Sequence, residues 1–258
     1  MHKRLFFNVV SLTGIVEYRV EEETATRGTH SMIEWPTATP IDLDSYPRRQ
    51  WYEHFSQFDI PVTYRTIQID VTDLKDYCKR NDLKFSLTIG FILTRATNHV
   101  LEFRNRIEND VPVAYDKIIP SFTVMTVNKV FAITKGVYTD SFINDYRHNL
   151  SINEDVAKGL AVPAKSENQG QVFITVNPWT TQTAVQAPFT KQLASVPVFC
   201  VGKMYDDNGR IKVGLGLQVH HGLVDGYHIG HFVHILERHL EDPTLLEGPY
   251  VSTFDQST

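Results

Sequence analysis

The chain has 258 residues, 42% hydrophobic and 21% charged, which is enough apolar material to bury a sizeable core and too much for a disordered polymer. Its 25 Lys and Arg against 30 Asp and Glu leave a formal charge of −5, so no basic field gathers nucleic acid. Two cysteines, Cys78 and Cys200, are too few for a disulfide framework or a thiolate zinc site and agree with a reducing cytoplasm, and no apolar run reaches the roughly 18 residues that would span a membrane.

Met1-His-Lys-Arg followed by apolar residues 5–16 has the order of a secretory signal. Against it, Asn8, Ser11 and Thr13 interrupt the stretch, no small-x-small cleavage site follows, and residues 17–23 are charged, which favours a strand or a flexible arm. Residues 21–41 mix charge, Thr, Gly and Pro without periodicity. Residues 1–41 are therefore expected to form an extension ahead of one main domain, 42–258. Pro47 leads a short helix over 48–55. Residues 62–71 (VTYRTIQIDV) are β-branched and alternate, as a strand does. Thr72 is the expected N-cap of the next helix, and a second helix is expected from about Ser86 to about Arg104, with Ile89, Ala96 and Val100 on one buried face.

Strands are expected over 121–127, 130–134, 171–176 and 197–204, with a helix and an ill-defined loop between about 140 and 170. Residues 206–210 (DDNGR) form a turn, after which Ile211, Val213, Leu215, Leu217 and Val219 hold a strict period of two. A final helix is expected over 227–240, with Pro243 just beyond it. The elements make a mixed α/β domain without repeats and without a Gly-rich phosphate loop.

Six of the eleven histidines fall between 220 and 239, and two of them close the strongest strand in Gln218-Val-His220-His221-Gly-Leu-Val-Asp225-Gly226. Continued alternation would send His221 to the buried face with Val219 and His220 the other way. A shielded neutral imidazole at a strand end suits general-base work, because its unperturbed pKa of about 6.5 lets it accept a proton near neutrality. Two other readings stand beside it. One is a packed core histidine. The other is a metal site from His220, His221 and Asp225 or from His228, His231 and His234, although positions three apart drift by about 60° round a helix and adjacent strand residues diverge.

His220-His-Gly-Leu-Val-Asp225-Gly226 resembles the His-His-x-x-x-Asp-Gly motif of coenzyme A-dependent acyltransferases, a superfamily that includes dihydrolipoyl acyltransferases and peptide-synthetase condensation domains. Further blocks, in the same order, are similar to chloramphenicol acetyltransferases: Arg48-Arg-x-x-Tyr52-x-x-Phe55, Thr66-Ile-Gln-Ile-Asp-Val-Thr72, Val176-Asn-Pro-Trp179, Pro197-Val-Phe199, Gly202-Lys203 and Gln218-Val-His-His221. The resemblance covers about residues 42–240.

It implies a two-layer α/β sandwich with a mixed β-sheet covered by helices, the CoA-dependent acyltransferase fold. It also implies O-acetyl transfer from acetyl-CoA, as co-substrate and without a metal, to chloramphenicol or a related alcohol, by a cytoplasmic homotrimer whose sites lie at subunit interfaces. By the same resemblance His221 is the general base, Thr175 stands where the family supplies a hydroxyl for the oxyanion, and Asp225 pairs structurally with Arg48. Phe55 and Cys200 fall at the acceptor site, and Trp179 and Lys203 near the coenzyme. Past Asn177-Pro-Trp179 the family's apolar wall is replaced by Thr180-Thr-Gln-Thr-Ala-Val185, Cys200 stands for a threonine and Met204 for a tyrosine. A different hydroxylated or dihydrolipoyl acceptor, or a non-catalytic binding homologue, therefore stays open.

Overall fold

The computed structural model describes residues 8–11, 14–17, 33–161 and 167–254. β1 (Asn8–Ser11) and β2 (Gly14–Glu17) pair antiparallel as a hairpin. β3 (Ala38–Pro40), β5 (Asn105–Glu108) and β6 (Val111–Tyr115) make a small antiparallel sheet in the order β3-β6-β5. Packing thus begins upstream of residue 42: Ile33 and Trp35 lie against the core, Pro36 is buried, and the Thr37 amide and hydroxyl donate to the Asp116 carboxylate at 2.9 and 2.8 Å. A three-residue strand is too short to show alternation, and Pro40 is tolerated because β3 is an edge. The turn between β5 and β6 rests on Asn109 and Asp110, both at positive φ (51° and 61°), where Asn and Asp are the least strained non-glycine residues.

The main sheet contains β4 (Val62–Asp70), β7 (Ile119–Met125), β8 (Phe131–Lys135), β9 (Gln171–Val176), β10 (Val198–Val201), β11 (Tyr205–Asp207) and β12 (Arg210–His220). β12 pairs antiparallel with β4 along its length and with β10 and β11 in succession; β10, β9 and β7 run parallel, and β8 closes the far edge antiparallel. The expected strand 197–204 stops at Val201 because Lys203 turns its amide to the Thr180 carbonyl, 2.8 Å away.

Among the described residues there are six α-helices, in chain order α1 (Arg49–Phe55), α2 (Thr72–Arg80), α3 (Phe85–His99), α4 (Leu101–Arg104), α5 (Phe142–Ala157) and α6 (Gly226–Glu241). α2, α3, α5 and α6 pack on one another and on one face of the sheet, which gives two layers. Phe199 of β10, Phe232 of α6 and Phe103 of α4 stack through this layer, with ring centroids 5.1 and 4.9 Å apart. Each such buried ring contributes about 1.5–3 kcal/mol. Two expectations are corrected here. Thr72 is the first residue of α2 rather than its N-cap, which is Val71, and its hydroxyl instead accepts from the Ile211 amide at 2.8 Å. The helix expected over 86–104 is broken at Val100, whose extended backbone (φ −109°, ψ 110°) carries a 1% exposed side chain into the core before α4 begins.

The outer face of the sheet is partly crossed by residues 180–196. Gly214 and Gly216 let this segment lie flat on β12: a Cβ at Gly214 would sit 2.4 Å from the Gln182 carbonyl oxygen, and one at Gly216 2.7 Å from Val185 Cβ. Consequently every residue of β12 from Val213 to His220 is buried, although its hydrophobicity alternates.

Candidate active site

The covering of both faces of β12 reverses the expected roles of the adjacent histidines. β12 ends at His220, paired with Val62, and His220 is the buried imidazole, 3% exposed, with its Nδ1 accepting from the Gly222 amide at 3.1 Å. Burial, aided by the neighbouring His221, pushes its pKa down to about 4. His221 lies beyond the strand, half-buried in the turn, and its amide donates to the Pro61 carbonyl at 2.8 Å. Its Nδ1 is 3.2 Å from the Val224 carbonyl oxygen, a contact in which Nδ1 donates, so that in the neutral ring the lone pair is on Nε2. The ring packs on Phe55 at the end of α1, centroids 4.5 Å apart.

Arg48, the residue before α1, holds this turn. One guanidinium nitrogen donates to the Asp225 carboxylate and the other to the His221 carbonyl at 3.2 Å. Asp225 is also the N-cap of α6 and accepts from the Tyr227 amide at 3.0 Å. Burial raises its pKa, but the Arg48 hydrogen bond and the His228 and Arg48 charges outweigh this and hold the carboxyl below the usual range. Arg48, Phe55, His221 and Asp225 are thus one cluster. Glu102 joins its edge, 3.5 Å from His228 Nε2, and nothing in its sequence neighbourhood marks it.

The remaining site residues gather elsewhere. Thr175 of β9 is half-buried on the outer face, its Oγ1 2.9 Å from Thr123 Oγ1 on β7. Alternation marks Thr123 as sharing that face, but only the pairing of β7 with β9 brings the two hydroxyls together. Cys200 stands beside Thr175 in the β9–β10 register, and burial pushes its thiol up. A groove of about 970 Å³ opens here between the sheet and the start of α3, lined among others by Phe85, Thr123, Phe131, Thr175, Trp179 and Lys203. Trp179 is 66% exposed, a flat apolar surface at the groove, and Lys203 is exposed.

These two clusters do not meet within one chain. Thr175 is in register with Cys200, and Cys200 with Gly216. His221 lies five residues past Gly216, roughly 16 Å further along at ~3.3 Å per residue, before the two strand spacings are added. Among the described residues no three His, Cys, Asp or Glu side chains are arranged to hold a metal ion, and no helix is long and apolar enough to cross a membrane.

The family profile of chloramphenicol acetyltransferase matches residues 37–237. The chain belongs to the chloramphenicol acetyltransferase family. It is an acyltransferase, and its mixed sheet and helices have the CoA-dependent acyltransferase fold. A chloramphenicol acetyltransferase of Proteus mirabilis is 27% identical over 210 residues, covering 78% of this chain and 94% of the relative. A solved chloramphenicol acetyltransferase superposes with a TM-score of 0.73 at 24% identity, over 79% of this chain and all of that one. The Azotobacter vinelandii dihydrolipoamide acetyltransferase shares the fold at a TM-score of 0.55 and 14% identity, over 75% of this chain and 86% of its own.

Proposed function

We propose that the chain moves the acetyl group of acetyl-CoA to a hydroxyl of chloramphenicol or a related small molecule, with His221 as general base. The observation that carries this is the Arg48 clamp: it fixes the His221 carbonyl and the Asp225 carboxylate on one guanidinium and so sets the imidazole with Nε2 unpartnered among the described residues. His221 Nε2 takes the proton from the acceptor hydroxyl as that oxygen bonds to the thioester carbonyl carbon. The Thr175 hydroxyl, positioned by Thr123, donates to the oxyanion, a role in which one donor is typically worth about 10²–10³ in turnover. Collapse breaks the carbon–sulfur bond, and the proton held by His221 passes to the leaving thiolate. Phe55 and Cys200 serve the acceptor, Trp179 and Lys203 the coenzyme, and Asp225 and Arg48 support the base. No metal takes part.

The separation of His221 from Thr175 supports a homotrimer in which one subunit's base faces its neighbour's Thr175, and the two free cysteines, Cys78 and Cys200, agree with a cytoplasmic protein. We assign the catalytic domain to residues 42–258 with the packed segment 33–41; most of the expected extension before it lies outside the described residues. A hydroxylated acceptor other than chloramphenicol is favoured by one observation: polar Gln182, rather than an apolar side chain, donates to the Cys200 and Gly214 carbonyls at 2.6 and 3.0 Å, and Cys200 is the register partner of Thr175.

Thiol release from acetyl-CoA, followed with and without chloramphenicol and other alcohols, tests the proposal. Release is expected only with an acceptor, and His221→Ala is expected to lower it by about 10²–10⁴ while the protein stays folded. Near-full turnover in that variant would refute the assignment.

A further inference from the structure

The outer face of the sheet carries a buried cation that the reaction does not use. Lys135, the last residue of β8, is 8% exposed. It pairs in register with Ser121 on β7, and Ser121 with Phe173 on β9, so all three share the face of Thr123 and Thr175. Its Nζ donates to Gln171 Oε1 and, at 3.3 Å, to Ser121 Oγ, and lies 5.3 Å from the centroid of the Phe173 ring. These are neutral partners; among the described residues no carboxylate pairs with this ammonium. A buried charge satisfied only by dipoles is costly, and a ligand that brings the opposite charge recovers that cost. Burial accordingly pushes Lys135 down to about 8. Fully buried Arg106 also donates to the Gln171 backbone carbonyl, at 2.8 Å, and its four hydrogen bonds all go to main-chain carbonyls.

The same face therefore has the Thr123–Thr175 hydroxyl pair at one end and the ammonium at the other, with Phe173, Ile133 and the 63% exposed Phe131 around them. Lys135 is one same-face position, two residues, from the Thr123 level, or about 7 Å. We propose that Lys135 is a specificity-determining residue that selects hydroxylated acceptors carrying a carboxylate across an apolar spacer. Lys135 contributes one positive charge to this face, which a monoanionic carboxylate matches one for one. The inference rests on the reading that the acceptor hydroxyl lies at Thr175.

The test compares para-hydroxymethylbenzoate with its neutral amide, as acceptors in the thiol assay and, independently of turnover, as ligands by titration calorimetry. In the native chain the acid is expected to be preferred by about 10-fold or more in both assays. Lys135→Met is expected to abolish that preference and to leave the KM for acetyl-CoA unchanged; a merely structural lysine would alter stability without altering acid-over-amide discrimination. Lys135→Gln, which keeps a donor for Ser121 and Gln171, replaces it where the methionine perturbs folding. Equal binding of acid and amide by the native chain, or a preference that survives both substitutions, overturns the inference. Turnover of neutral alcohols alone would do so and leave the acetyltransferase reading intact. Lys135-dependent binding of the acid without thiol release from any acceptor would instead sustain the inference and defeat that reading.

Discussion

His220 and His221 are neighbours in sequence and opposites in environment. His220 is shut between β4 and the turn that follows β12, and its folded pKa of about 4 lies below the unfolded value of 6.5. His239 of α6 is alike: burial holds it at about 4, with its Nδ1 on the Ile235 carbonyl at 2.8 Å. Between pH 6.5 and 4 the unfolded chain binds more protons at both positions, so the stability they allow above pH 6.5 is lost as pH falls through that window. Each contributes a slope of up to about 1.4 kcal/mol per pH unit. Melting temperature is expected to drop between neutrality and the lower end of this window. His220→Asn, which keeps an acceptor for the Gly222 amide, is expected to flatten the fall, and thermal scans in a buffer series check it. The motif at 220–226 was legible in the sequence, whereas which imidazole is buried was not. Alternation describes a strand with one covered face, and β12 is covered on both.

At the scale of elements, that double covering depends on two glycines. Gly214→Ala drives a methyl to within 2.4 Å of the Gln182 carbonyl oxygen, so the segment 180–187 has to lift from the sheet. A cost of about 1–3 kcal/mol is expected, read as a lower urea midpoint, together with a raised KM for the acceptor, because Gln182 loses its place against Cys200 and Gly214. The long periodic elements, β4, β9, β12 and α6, were readable because each shows several turns of one repeat. β3, β5 and β6 were not: they are three to five residues long, and the Asn109–Asp110 turn lacks the glycine that advertises a hairpin. The break at Val100 was hidden for another reason, since the apolar period runs on past it while the backbone does not.

At the scale of the molecule, the base cluster lies beyond the end of β12 and the Thr175 groove level with Gly216, so the proposed mechanism needs the two to meet across a subunit boundary. Two inactive variants therefore offer a decisive experiment. When His221→Ala and Thr175→Ala chains are co-expressed, a neighbour pairing intact Thr175 with intact His221 occurs at about one quarter of the interfaces of randomly mixed rings. Turnover near that fraction is expected, measured against each variant expressed alone. No recovery in verified mixed assemblies would confine the reaction to single chains. Light scattering is expected to give three times the 29.5 kDa chain mass. The motifs pointed to this division only through the resemblance, because spacing along a sequence does not reveal how far apart two strand positions lie across a sheet.

The Arg48 clamp also imposes an order on how the protein comes into being. Its partner Asp225 is 177 residues away, so the turn that holds the His221 imidazole cannot close until the intervening stretch has been synthesised. Helix α1, only seven residues long, cannot persist unaided in the meantime. The cluster around His221 thus assembles only after β12 and the start of α6 have been made, and Trp51, borne on α1, is a fluorophore with which to time it.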